Sequence, residues 1–273
     1  MIKILRINRY VFLFVLGIAA SGAGPTAHAQ TRDTMAARGP LFTWRDAIVT
    51  GVFAAATIGL VQYDAKIAHY IARPEVQSDK LLREIDRDFG RVNEASLFLA
   101  GTGVYIVSKI AHAPTAADMA FHATEAVVIS TVANTALRGV LGRSRPFVSG
   151  GDDPRDFHFG KGFSDFDYRS LPSIHASSNY AAATVIVGEV HERWPDAAWW
   201  VAPPLYVVAS LPSVARLHGN RHWASDILSG AFLGTFTGIK VIQYHHPRHA
   251  NFLDRIFLHA TVTPGVVGAS LDF

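Results

Sequence analysis

The chain has 273 residues, of which 49% are hydrophobic and 17% charged, so it holds enough apolar material for a sizeable core and is not a disordered chain. Its formal charge of +3 is too small to argue for nucleic acid as a partner. It contains no cysteine, which excludes disulfides, thiolate metal sites and a cysteine nucleophile.

Lys3, Arg6 and Arg9 precede an apolar run from Tyr10 to Ala20, and Ala27-His28-Ala29 offers a small-x-small cleavage site. Residues 1–29 therefore read as an export signal, with an uncleaved anchor helix as the alternative. Export of a cysteine-free chain fits the bacterial periplasm or cell envelope. Residues 30–43 form a polar, turn-rich leader. Apolar, Ala- and Gly-rich segments then recur at Trp44–Tyr63, Ala95–Ala111, Ala117–Leu141, Ala176–Val190, Trp199–Ala215 and Ser225–Tyr244, each long enough for a helix. They predict an all-α domain over residues 44–247, a bundle of about six helices. The charged stretch from Asp64 to Arg91 carries Lys80-Leu-Leu-Arg-Glu-Ile at helical spacing and predicts a short extra helix. Lys109, His112, Asp118, His122, Glu125 and Pro203-Pro204 interrupt the apolar segments, and ionisable groups are costly at bilayer depth. The segments accordingly read as buried helices of a soluble or membrane-attached bundle. His245-His246-Pro247-Arg248-His249 reads as a solvated turn rather than a metal site. In the tail, residues 248–273, the runs Ile256 to Thr263 and Val266 to Phe273 flank Pro264-Gly265 and predict a small β-hairpin.

Three clusters carry chemistry: Arg138 followed by Arg145-Pro146, then Pro172-Ser173-Ile174-His175, then Arg216, His222 and Asp226. If the third helix runs far enough, Arg138 and Arg145 project from nearly one face, and two guanidiniums make a clamp for an anion. Pro146 biases Arg145 towards the extended conformation that ends a helix. Pro172-Ser173 opens the next helix, where free backbone N–H groups and a hydroxyl face an incoming anion. His222 and Asp226 stand four apart at the start of the sixth helix, so the carboxylate can orient one ring nitrogen and leave the other nucleophilic. Val148 to Leu171, rich in Gly, Asp and aromatics, reads either as a lid over the substrate or as a long loop packed by its own aromatics.

The ordered clusters resemble the three-part signature of the type 2 phosphatidic acid phosphatase superfamily, which includes lipid phosphate phosphatases, bacterial nonspecific acid phosphatases and vanadium haloperoxidases. Eight positions carry the resemblance: Arg145, Pro146, Pro172, Ser173, His175, Arg216, His222 and Asp226. It implies a helical bundle with the active site at one end, and a phosphatase that works without metal or cofactor on a phosphomonoester or pyrophosphate, a lipid phosphate by slight preference. It implies that His222 attacks phosphorus, Asp226 orients it, and His175 protonates the leaving oxygen and then activates water. Arg138, Arg145, Ser173 and Arg216 are implied to hold the phosphoryl oxygens. The family usually has lysine at Arg138, glycine at Ile174 and serine at Ala215. A vanadium-dependent haloperoxidase, or a non-catalytic envelope protein with a retained anion site, are the alternative readings.

Overall fold

The computed structural model describes residues 40–246, 252–257, 260–263 and 266–269. The expected export signal and most of the leader lie outside the described residues. Six long helices build the molecule: α1 (Trp44–Ile71), α4 (Glu94–Ile110), α5 (Pro114–Leu141), α6 (Ile174–Arg193), α7 (Pro195–His218) and α8 (Ala224–His245). The short helices α2 (Pro74–Gln77) and α3 (Lys80–Phe89) connect α1 to α4, and α9 (Phe252–Phe257) follows α8. The strands β1 (Ala260–Thr263) and β2 (Val266–Ala269) pair antiparallel in register Ala260 to Ala269.

The helix ends follow from local chemistry. Asn93 caps α4 with its side chain, and Ser173 caps α6. Proline opens α5 and α7 at a position where no N–H is needed. Gly142 closes α5 with a φ of 56°, and a Cβ there would overlap the His158 carbonyl. Because α5 stops at Leu141, Arg138 and Arg145 do not share a helix face as expected. Arg145 sits past the end with φ −81° and ψ 154°, the extended conformation that a following proline favours. The charged stretch that was expected to end the first helix continues it for another turn and more. Asp64 does not break α1 because its carboxylate is buried and paired with Arg143 at 2.7 Å.

Close packing of α6 on α8 sets the register of the site. Gly230, Gly234 and Gly238 line one side of α8, and Cβ atoms on them would collide with Ser173, Ser177 and Thr184 of α6. Small residues at this spacing let two helix backbones approach closely. The core beside them is built from small side chains too: Ala123, Ala126, Ala181, Val185 and Val241.

The expectation of buried helices fails for α1 and α7. Both are long and apolar enough to cross a membrane, and only 6% and 22% of their apolar windows are buried. Trp44, Ile48, Val52, Trp199, Trp200 and Val207 on these two helices are exposed. Three of the ionisable groups that argued against spans are paired inside the bundle: Asp118 with Arg193, His122 with Glu189, and Glu125 with His245. His245 is 2% exposed and His246 half-buried, so the expected solvated turn does not include them; residues 247–249 lie outside the described residues.

Candidate active site

The C-terminal ends of α5 and α7 and the N-terminal ends of α6 and α8 meet at one end of the bundle, and the loop between Gly142 and Ser173 folds over them. His222 lies just before α8, two residues short of the first helical one, so its relation to Asp226 is made by the helix cap rather than by a helix face. Asp226 accepts a hydrogen bond from the Trp223 N–H at 2.8 Å, which fixes the turn that carries His222. His222 is 2% exposed. Its Nδ1 stands 3.5 Å from Asp226 Oδ2, and its Nε2 stands 3.5 Å from Arg145 Nη1. The ring of His175 faces that of His222 edge-on, centroids 6.2 Å apart.

Arg145 and Arg216 are held by backbone carbonyls and, for Arg216, by a histidine. Arg145 donates to the backbone oxygens of Phe166, Arg169 and Arg221 at 2.8 to 3.2 Å and stacks over the Phe166 ring. Arg216 Nη2 lies 2.7 Å from His175 Nε2 and also donates to the Gly90 carbonyl. A guanidinium only donates, so His175 Nε2 accepts, and a neutral His175 carries its proton on Nδ1. Among the described residues, His175 Nδ1, Arg138 Nε and Arg216 Nε are buried without a hydrogen-bond partner. Buried polar groups are nearly always paired, so several unpaired nitrogens around one point mark a place built for an anion.

Burial pushes the His222 imidazole down to about 4; the Asp226 carboxylate opposes the shift, and the neighbouring Arg145 charge adds to it. Burial likewise lowers Arg145 to about 10, which leaves its guanidinium charged at neutral pH. The arrangement thus offers an unprotonated, oriented imidazole beside fixed positive charge.

Ser173 serves chiefly as the α6 cap: its Oγ accepts from the Ala176 N–H at 3.4 Å, and its own N–H donates to the Asp226 carbonyl at 2.9 Å. Ile174 is 3% exposed and opens α6 with its carbonyl accepting from the Ser178 hydroxyl at 2.8 Å. In the loop from Val148 to Leu171, Phe159, Phe163 and Phe166 are exposed, whereas half-buried Phe157 lies against Arg143 and half-buried Tyr168 against His158 and Lys161. Backbone bonds hold the loop as well: Ser144 to Asp156, Arg145 to Asp167 and His158 to Gly142.

The sequence clusters omit a buried layer behind the site. Arg143 is 0% exposed and bridges Asp226 Oδ1 at 2.6 Å and Asp64 Oδ2 at 2.7 Å. Ser170 donates to Asp226 Oδ2 at 2.6 Å, and the Ser225 N–H to Asp64 Oδ1 at 3.0 Å. Arg143 is two residues from Arg145, a proximity that was visible; Asp64 is far away in sequence and carries no local signal.

Comparison with known proteins follows the same residues. The sequence model of the PAP2 superfamily matches residues 120–250. The lipid A 1-phosphatase of Porphyromonas gingivalis is 41% identical over 69 residues, 25% of this chain, and the chain spans only 15% of that protein's length. Among solved structures, a transmembrane PAP2-type phosphatidylglycerolphosphate phosphatase from Bacillus subtilis aligns with 72% of this chain and 98% of its own, at 16% identity and a TM-score of 0.34.

Proposed function

We propose that the chain, whose residues 120–250 match the PAP2 superfamily, hydrolyses a phosphate ester or pyrophosphate through a phosphohistidine on His222, in a site that needs no metal. One observation carries this reading above the others. His222 is buried between a carboxylate at 3.5 Å and an arginine at 3.5 Å, and the buried Nε atoms of Arg138 and Arg216 beside it have no hydrogen-bond partner.

In this reading the proton of His222 lies on Nδ1, towards Asp226, and the Nε2 lone pair attacks phosphorus. The bond to the leaving oxygen breaks as His175, protonated on both ring nitrogens once Arg216 turns to the phosphoryl oxygens, delivers its Nδ1 proton to that oxygen and is left neutral. Neutral His175 then takes a proton from water, whose oxygen attacks the phosphohistidine and returns His222 to its starting form. Arg138, Arg145 and Arg216 hold the three equatorial oxygens and stabilise their charge in the transition state. Ser173 contributes through the N-terminus of α6. Arg143 keeps Asp226 ionised and in place; as a partner to the carboxylate it is a positioning residue.

The substrate we favour is a lipid phosphate, turned over by an enzyme set in the cell envelope membrane. Exposed apolar side chains on α1, α4, α5 and α7 support this, since an aqueous surface rarely carries contiguous apolar faces of such size. A groove of about 350 Å³ between α4 and α5 adds to it; Phe98, Leu99, Val128 and Val132 line it, and Glu94 closes one end. Glu94 lies near enough to Arg138 and Arg216 to act on both charges, so the groove leads from the phosphate site onto the apolar face.

The experiment is phosphate release by the full chain in detergent, with no metal added, from p-nitrophenyl phosphate and from a short-chain phosphatidic acid. The reading predicts release from both, faster from the lipid, and none from His222→Ala. Faster release from the soluble ester would sink the lipid preference, and unchanged release by the variant would sink the mechanism.

A further inference from the structure

A second polar cluster lies at the opposite end of the bundle from the phosphate site. His122 and Arg138 are both on α5, sixteen residues apart and so about 24 Å along the axis. His122 is 3% exposed, His245 2% and Asp254 8%. The two imidazole rings lie with centroids 3.9 Å apart. Asp254 Oδ1 is 2.6 Å from His245 Nδ1 and 3.4 Å from His122 Nε2, and these three atoms lie within 4.8 Å of one another.

The outer nitrogen of each ring is also engaged by a carboxylate. His122 Nδ1 is 2.5 Å from Glu189 Oε1, and His245 Nε2 is 2.6 Å from Glu125 Oε2. Metal-ligating histidines almost always give their second N–H to a carboxylate or carbonyl, which fixes the tautomer and turns the other nitrogen's lone pair inward. Here both rings have that arrangement around one shared aspartate.

We propose that His122 Nε2, His245 Nδ1 and Asp254 Oδ1 form a structural site for a divalent transition metal of the zinc type. Two imidazoles and one carboxylate, with no sulfur, suit zinc and its neighbours rather than calcium or magnesium. A solvent molecule completes four-coordination. The ion ties α9 to α5 and α8, so its role is to fasten the segment after the last long helix onto the bundle. It takes no part in phosphate chemistry, and the proposal stands or falls separately from the function of His222.

The test is metal analysis of the full chain purified in detergent without chelator, followed by Co²⁺ titration read by its visible absorption. Wild type is expected to hold about one metal per chain, and after chelation to take up about one Co²⁺ with the strong absorption of a four-coordinate site. His222→Ala keeps this behaviour, whereas His245→Ala and Asp254→Asn weaken binding by at least about tenfold. Wild type that carries no metal and shows no saturable Co²⁺ absorption overturns the proposal, with no need for any variant to fold. Undiminished binding in folded Asp254→Asn overturns the ligand assignment.

Discussion

At the scale of single residues the site is governed by what burial does to His222. Its pKa falls from 6.5 to about 4, so the ring stays neutral and nucleophilic as pH drops through 6 and 5, and is protonated only near 4. The rate on a substrate whose own ionisation is complete should therefore hold down to about pH 4 to 5 before falling. A pH–rate profile with an acid limb near the ordinary histidine value of 6.5 would show that the ring is not held as the structure has it. Arg143 gives a prediction of stability. Replacing it with alanine leaves Asp64 and Asp226 buried without their counter-charge, at a cost of about 3–5 kcal/mol, measured as a lowered denaturation midpoint. A shift within error would mean that the two carboxylates find other partners. Histidines and arginines at fixed gaps made His175, Arg216 and His222 visible in the sequence. Arg143 and Asp64 were not, because a buried pair that joins distant helices leaves no spacing to read.

At the scale of elements, six apolar segments became six long helices, with boundaries shifted by capping residues such as Asn93, Ser173 and Gly142. Charge misled at α1, where Asp64 was taken to end the helix although its charge is neutralised by Arg143. Spacing misled at His222, which precedes its helix. The glycines of α8 had no stated role in the sequence, since their function depends on which helix lies opposite. Gly234→Val would drive a side chain into the Ser177 carbonyl of α6. Overpacking of this kind costs about 1–3 kcal/mol. Because α6 carries His175 and α8 follows His222, kcat should fall together with thermal stability, while phosphate still binds to a loosened site. Full activity in a Gly234→Val protein would show that the α6–α8 spacing does not set the site.

For the whole molecule, the expectation that every apolar segment is buried fails at α1 and α7 for a physical reason. Ionisable residues count against a span only if they face lipid, and a linear sequence does not say which way they face. Asp118, His122 and Glu125 face one another's partners inside the bundle, and the apolar faces of α1 and α7 are left outside. A 28-residue helix is about 42 Å long, enough to cross a bilayer. If α1 crosses, Trp44 and the phosphate site lie on opposite faces of the membrane. The chain has no cysteine, so single cysteines report this directly. Trp44→Cys and Phe166→Cys, both at exposed positions, should differ in intact cells, with an impermeant maleimide labelling one and sparing the other. Labelling of both would place the two ends of α1 in one compartment and remove the span.

The central claim is a covalent bond between His222 and phosphorus. Rapid quenching of the full chain with radiolabelled phosphate ester should trap protein-bound phosphate that survives base, is lost in acid as a phosphoramidate must be, maps to the peptide containing His222 and is missing from His222→Ala. Turnover that continues without such an intermediate, or a label that maps elsewhere, would contradict the account.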